Sequence, residues 1–147
     1  MDWEKVFSLF GSDESGSGSF SEDELDDFRN TPLFKIKMFM KLILNGIGFK
    51  KQVLSFFKKS NGEFNEFEID RAGDYMMYVR AFYWISKLDI SELEEGDLKY
   101  INRDELYLCI SSSITYFEVE EDYEKCAVLK KLQDFLDKEE KILGKQN

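Results

Sequence analysis

Apolar side chains recur at helical spacing along most of this chain. Between Ala72 and Leu88 they step by three and four residues, which predicts an amphipathic helix with a broad aromatic face, interpreted as core. Between Asp104 and Ile142, two more amphipathic runs flank an acidic elbow at Glu120-Glu121-Asp122. The pattern predicts an all-α protein: a small helical bundle of five or six helices with a C-terminal antiparallel helical hairpin.

The second helix of the predicted hairpin carries a leucine seam. Leucines at positions 129, 132, 136 and 143 step by three, four and seven residues. A narrow apolar stripe of this kind suits contact with another helix. The candidate partner-binding residues are therefore Tyr123, Leu129, Leu132 and Leu136. The alternative interpretation, which we expect for at least half of them, is that they close the intramolecular core.

The run EEDYEKCAVLKKLQD at the start of this second helix resembles a known motif. It combines an acidic turn, an aromatic residue followed by Glu, a small pair at Cys126-Ala127, and a basic residue between two aliphatic ones. In this it is similar to the UVR motif of bacterial excision-repair proteins and of some stress-protease adaptors. Tetratricopeptide repeats use a comparable turn. Over residues 104–142 the resemblance implies a helical hairpin that mediates protein–protein contact, and it does not imply a repair role.

Charge changes sign in blocks along the chain. Residues 1–30 hold nine acids and two bases, residues 31–59 hold seven Lys and no acid, and the remaining residues restore the overall net charge of -10. These blocks predict an acidic N-terminal segment, residues 1–30, with a Ser/Gly-rich loop, followed by a single helical domain, residues 31–147. The excess of acid disfavours duplex nucleic acid and favours a protein partner with a basic face.

The basic block is predicted to form two helices. Pro32 is suited to a helix start, while Asn45-Gly46 and Gly48 together predict a stop in the middle of the block. Core packing with a solvated lysine face is the main interpretation; contact with phosphate, on a membrane surface or RNA, is the alternative. After the block, residues 60–70 are interpreted as the lead-in to a helix, with a short β segment as the alternative.

Residues 13–24 resemble an EF-hand calcium loop. Asp13, Ser15 and Ser17 occupy alternate positions, Gly18 follows, and Glu24 stands twelfth, where a calcium loop places its bidentate carboxylate. The resemblance implies calcium as a ligand of these four residues. The alternative interpretation is a flexible Ser/Gly linker followed by a helix start, since Ser21 and Glu24 have the spacing of a capping box. Apart from calcium in this alternative, no cofactor is predicted.

The composition argues against catalysis and against a membrane span. The chain has no His, no glycine-rich phosphate loop and no nucleophile motif. Cys109 and Cys126, 17 positions apart, are interpreted as buried thiols rather than zinc ligands. No uncharged apolar run approaches the roughly 20 residues that span a bilayer. The predicted location is therefore the reducing cytoplasm, or a virion if the chain is phage-encoded.

Together these features predict a non-catalytic helical protein that acts as a protein–protein interaction or adaptor protein with an acidic surface. One alternative is a structural or assembly component of a larger particle, for example a phage particle, in which the chain would be a homo-oligomer. A second is an acidic inhibitor that mimics nucleic acid and occupies a basic groove. A third is an EF-hand-like calcium sensor.

Overall fold

The computed structural model describes residues 21–60, residue 63 and residues 65–145, with side chains up to residue 142. These residues form only helices and turns, without a strand, so the predicted all-α class is confirmed. The α-helices are α1 (Glu22–Arg29), α2 (Pro32–Lys59), α3 (Glu66–Ser86), α4 (Arg103–Val119) and α5 (Tyr123–Lys145). Two short 3₁₀ helices, Ile90–Glu92 and Glu95–Tyr100, connect α3 to α4.

Polar side chains cap the first turns of three helices. Ser21 Oγ accepts a hydrogen bond from the backbone N–H of Glu24 at 3.2 Å, so the predicted helix start is confirmed. Asn65 and Asn102 do the same at the starts of α3 and α4. Each cap satisfies a backbone donor that the helix itself leaves without a partner. In residues 60–70 the helix begins at Glu66, which confirms the lead-in interpretation.

The chain divides between Thr31 and Pro32 into two compact units. The described part of the first is α1 with its flanking residues. In the second, α2 and α3 form one antiparallel pair and α4 and α5 form another, which is the predicted hairpin. The two pairs also pack against each other, α2 alongside α4 and α3 alongside α5.

Apolar residues from all four helices of the second unit close one core. Phe82 of α3 meets Phe117 of α4 edge to face at 5.5 Å, and Tyr78 stacks on Tyr116 at 4.7 Å. The largest fully buried side chains are Leu33, Ile36, Phe39, Ile43, Ile85, Leu106, Ile110, Phe117, Leu129, Leu132 and Leu136. On α2 they lie only in the first half of the helix. No helix among the described residues is long and apolar enough to cross a bilayer.

The predicted stop at Asn45-Gly46 and Gly48 is wrong, because α2 continues without a break to Lys59. Gly46 lies against Met77 of α3: a Cβ there would clash with Sδ of Met77 and lie 2.6 Å from its Cγ. Glycine costs a helix roughly 1 kcal/mol relative to alanine. Close packing of the two helices offsets that cost, and this tertiary contact is not visible in the local sequence.

Candidate functional site

Three of the four predicted partner-binding residues lie in the core. Leu129, Leu132 and Leu136 are fully buried, whereas Tyr123, the first residue of α5, is 65% exposed. The leucine seam therefore packs against the rest of its own bundle. This agrees with the alternative interpretation, in which these residues close the intramolecular core. A partner that docks on the closed bundle would reach Tyr123 and not the leucines.

The elbow of the hairpin is held by local contacts. The backbone N–H of Asp122 donates to the carbonyl of Phe117 at 2.8 Å, and that of Glu121 donates to Glu118 at 3.0 Å. This is the Schellman pattern, and it places Glu121 in the left-handed region with φ of 59°. Asp122 accepts a hydrogen bond from the ammonium of Lys125, which lowers the pKa of the Asp122 carboxyl.

Lys125 ties the elbow to the core beneath it. Its ammonium lies 5.7 Å from the ring centroids of both Phe82 and Phe117, within cation–π range. One lysine thus contacts α3, α4 and the elbow at once. This arrangement is structural, because every partner belongs to the bundle.

The predicted calcium ligands Asp13, Ser15 and Ser17 lie outside the described residues. Glu24, the fourth, lies in the first turn of α1, where its N–H donates to Ser21. In the described part of the chain, no group of three or more acids and cysteines is placed to hold a metal ion. Burial raises the pKa of the Cys109 thiol to about 11, which keeps this cysteine in the unreactive thiol form.

The long α2 extends past the elbow. Cys109 Sγ approaches the carbonyl oxygen of Met40, which is 69 residues earlier in the chain, and the charge of Glu105 acts on Lys37. Because both residue numbers increase together from one contact to the other, α4 runs parallel to α2. The same offset puts Val119, the last residue of α4, level with Lys50. The remaining residues of α2 project roughly 13 Å further at the rise of an α-helix.

The projecting part of the α2–α3 pair, residues 44–59 and 66–76, is called the arm. Between positions 44 and 76, no residue that the structure describes is buried. Yet six of the eleven exposed large apolar side chains among the described residues lie there: Ile47, Phe49, Phe56, Phe67, Tyr75 and Met76. The arm is therefore the region of the molecule where apolar surface is least covered.

Ion pairs hold the two helices of the arm together. Lys50 Nζ lies 2.9 Å from Asp70 and 2.7 Å from Asp74, and Lys58 lies 3.1 Å from Glu66. Partial burial of Lys50 opposes its charge, but the hydrogen bonds and charges of Asp74 and Asp70 outweigh burial and raise its pKa. Ion pairs thus join the two helices of the arm, where no described residue is buried.

Contacts on α2 show which side of this helix stays uncovered. Gly46 and Lys50 meet α3, while Lys37 and the carbonyl of Met40 lie towards α4. At 100° per residue, Phe49 and Phe56 lie on neither of these sides, and each is 67% exposed. Because they are seven residues apart, they lie one above the other on the same face.

The same reasoning applies to α3. Asp70 and Asp74 meet α2, and Tyr78 and Phe82 meet α4. The side opposite α4 carries Met76, 59% exposed, and seven residues later Tyr83, 50% exposed. Since α2 and α3 are antiparallel and α4 lies on one side of both, the two uncovered sides form one surface.

We call this surface the outer face. Its apolar members are Phe49, Phe56, Met76 and Tyr83, and its bases are Lys59, Arg80 and Lys87. The ammonium of Lys87 lies 4.4 Å from the ring centroid of Tyr83. Arg80 and Lys87 lie at the end nearer the core, and Lys59 lies at the tip of the arm. An apolar centre is thus bounded by positive charge at both ends.

Sequence reasoning did not find the outer face. The sequence pattern indicated core packing for the apolar side chains of the basic block and for the aromatic face between Ala72 and Leu88. In the structure Phe57 is half-buried, while Phe49, Met76 and Tyr83 are exposed. The available signal was the pair of seven-residue spacings, but only the length of α4 shows which stripe stays uncovered.

Comparison of the chain with protein-family models, with curated proteins and with solved structures found no match. The resemblance of residues 104–142 to the UVR motif therefore stays a prediction, as does the resemblance of residues 13–24 to a calcium loop.

Proposed function

We propose that this chain is a non-catalytic protein–protein interaction protein that docks a partner on its outer face. The observation that carries the proposal is the exposure of Phe49, Phe56, Met76 and Tyr83 on one side of the α2–α3 pair. Exposed aromatic side chains held on rigid helices are typical anchors of protein interfaces, because they bury a large area at small cost in entropy.

The helical scaffold supports the same function. Phe49 and Phe56 stand on a helix whose neighbour is held by the Lys50 and Lys58 ion pairs, and Tyr83 contacts Trp84 edge to face at 5.7 Å. A docking surface on helices loses less conformational freedom on binding than one on loops.

A binding comparison with matched variants tests the proposal. Phe49→Ala/Phe56→Ala removes both anchors of α2, and Leu108→Ala removes an exposed leucine, 57% accessible, from α4. Each immobilised variant is incubated with extract of the native host, and the retained proteins are quantified by mass spectrometry. We expect the amount of retained partner to fall at least about tenfold for the double variant, while wild type and Leu108→Ala both retain it.

Circular dichroism of both variants checks that the helices remain. Equal retention of every bound protein by the double variant and by wild type would contradict the proposal, because the outer face would then contribute nothing to binding.

A second candidate function is an assembly component, and a second apolar cluster favours it. Tyr75 and Arg71 lie close enough to Tyr116 of α4 to influence its ionisation, so this side of the arm faces the elbow. Phe67 and Tyr75 here, with Val119 and Tyr123 at the elbow, are all more than half exposed. A subunit that contacts two neighbouring copies needs two separate surfaces of this kind.

Light scattering after size-exclusion chromatography tests this second candidate. We expect an assembly component to elute as a dimer or larger oligomer that Tyr75→Ala/Tyr123→Ala dissociates. A monomer at about 100 μM, well above the dissociation constants of ordinary dimers, would contradict it.

A further inference from the structure

We infer that the partner of the outer face is an amphipathic α-helix with acidic residues near both of its ends. The inference rests on the proposed function and names the chemistry of its partner. It follows from the distribution of charge on the outer face, from the spacing of the apolar side chains, and from the acidity of the rest of the chain.

Among the described residues, the centre of the outer face carries no unpaired acid, although the chain has a net charge of -10. Helix α2 contains no Asp or Glu. Of the four acids of α3, Asp70 and Asp74 pair with Lys50, and Glu66 pairs with Lys58. Glu68 lies at the edge of the face, rotated by about 80° from Met76 at the pitch of an α-helix. The bases Lys59, Arg80 and Lys87 therefore create a local positive potential.

The spacing of the apolar side chains fits a helix. Phe49 and Phe56 are two helical turns apart, about 10.5 Å, and so are Met76 and Tyr83. Half-buried Val53 lies on the side of the Phe49–Phe56 row that faces α3, and half-buried Ile69 continues the Met76–Tyr83 row by a further seven residues. A helix laid along these rows presents its i, i+3, i+4 and i+7 side chains at matching intervals.

The positions of the bases set the length of the partner and the places of its charges. Lys59 lies nine positions from Lys50 on α2, and Arg80 lies about eight positions from the carboxylates that Lys50 contacts on α3, so Lys59 and Arg80 are roughly 25 Å apart along the helix pair. A partner helix of roughly 17 residues spans this distance and brings one acidic end to Lys59 and the other to Arg80 and Lys87. Opposite charges placed in this way select a partner and its register.

The remaining charge of the protein disfavours the other anionic partners. Nucleic acid and anionic bilayers carry negative charge over a continuous surface, which would meet exposed Glu68 at the edge of the outer face as well as its bases. A short helix confines its acids to the places where the bases stand. The observed pattern therefore favours a protein helix over RNA or a membrane.

A display selection tests the inference. The full-length protein is immobilised and challenged with a phage-displayed library of 20-residue helical peptides, in which the apolar stripe is fixed and the flanking polar positions are random. We expect Asp and Glu to be enriched near both ends of the selected peptides. Lys59→Glu/Arg80→Glu should weaken the best synthetic peptide about tenfold in fluorescence anisotropy and should select Lys or Arg instead.

The matched control is Lys130→Glu/Lys131→Glu, which makes the same change in net charge on exposed positions of α5. It should leave the affinity within about twofold of wild type, since screened charges at a distance contribute little. Selected peptides without acidic preference, or equal weakening by both charge variants, would overturn the inference. So would tighter binding of phosphatidylserine vesicles or of a 20-nucleotide RNA through Lys59 and Arg80.

The Phe49→Ala/Phe56→Ala variant separates this failure from failure of the proposed function. If the selected peptides lack an acidic preference but lose affinity for this variant, the docking function stands and the acidic partner is wrong. If peptides bind both proteins equally, neither proposal survives.

Discussion

The two ends of the α2–α3 pair are built differently although they belong to the same helices. At the core end, Leu33, Ile36 and Phe39 of α2 are fully buried by the other helices. In the arm, the same helix carries exposed Phe49 and Phe56, and lysine–carboxylate ion pairs join it to α3. The difference arises because α4 ends level with Lys50. Burial supplies stability at one end, and uncovered aromatic side chains supply a docking surface at the other.

The largest difference in the free energy of unfolding should be between alanine substitutions at Leu132 and at Phe56. Leu132→Ala leaves a cavity in the closed core and is expected to lower the free energy of unfolding by about 2–5 kcal/mol. Phe56→Ala removes a ring that is 67% exposed and contacts Phe57 at 5.7 Å, so we expect a loss of less than about 1 kcal/mol. Urea denaturation followed by circular dichroism measures both. Similar losses would mean that the arm contains a core of its own.

Two glycines of α2 sharpen the comparison at the boundary of the arm. Gly46→Ala should destabilise by about 1 kcal/mol or more, because the added methyl group meets Met77 at the close approach of the helices. At Gly48 a Cβ meets nothing within 4 Å, so Gly48→Ala should stabilise by up to about 1 kcal/mol through helix propensity. Thermal unfolding of both variants measures the two changes in stability, which should have opposite signs. Stabilisation by both would show that α2 and α3 do not approach closely at Gly46.

At the elbow, Glu121→Gly is expected to stabilise the protein by about 0.5–1 kcal/mol. Glu121 has φ of 59°, a conformation that glycine adopts without steric strain and that the Schellman pattern requires. The control is Glu120→Gly, whose φ of -80° is ordinary for any residue, and which should destabilise the protein. Denaturation midpoints compare the two variants, and stabilisation at both positions would contradict the assigned backbone conformation.

The smallest effect on stability should come from titration of the Asp122 carboxyl. The hydrogen bond from Lys125 lowers its folded-state pKa below the ordinary value of 3.8. A depressed carboxyl pKa contributes stability above the unfolded-state value, and that contribution is lost as pH falls through the folded-state value. Asp122→Asn should therefore remove a small part of the stability at pH 7 and none at pH 2. Unfolding curves at both pH values measure this, and an equal loss at both would show that the charge has no role.

Local patterns predicted what local chemistry determines. The cap at Ser21, the acidic elbow at 120–122 and the period of the leucine seam each depend on residues within a few positions, and the helices they predict are present. The break at Asn45-Gly46 was wrong, because a glycine that permits close packing against Met77 resembles one that ends a helix. The outer face could not be predicted, since the uncovered side of α2 depends on where α4 ends.

Hydrogen exchange with mass spectrometry, in the free protein and with a selected acidic peptide, tests the central claim most directly. In the free protein, amides of α2 at residues 33–43 should exchange slowly, and those at 47–59 much faster, because the arm has no buried core to protect them. The peptide should slow exchange in the arm and leave the α4–α5 hairpin unchanged. Uniform protection along α2, or slowing confined to the hairpin, would contradict the account.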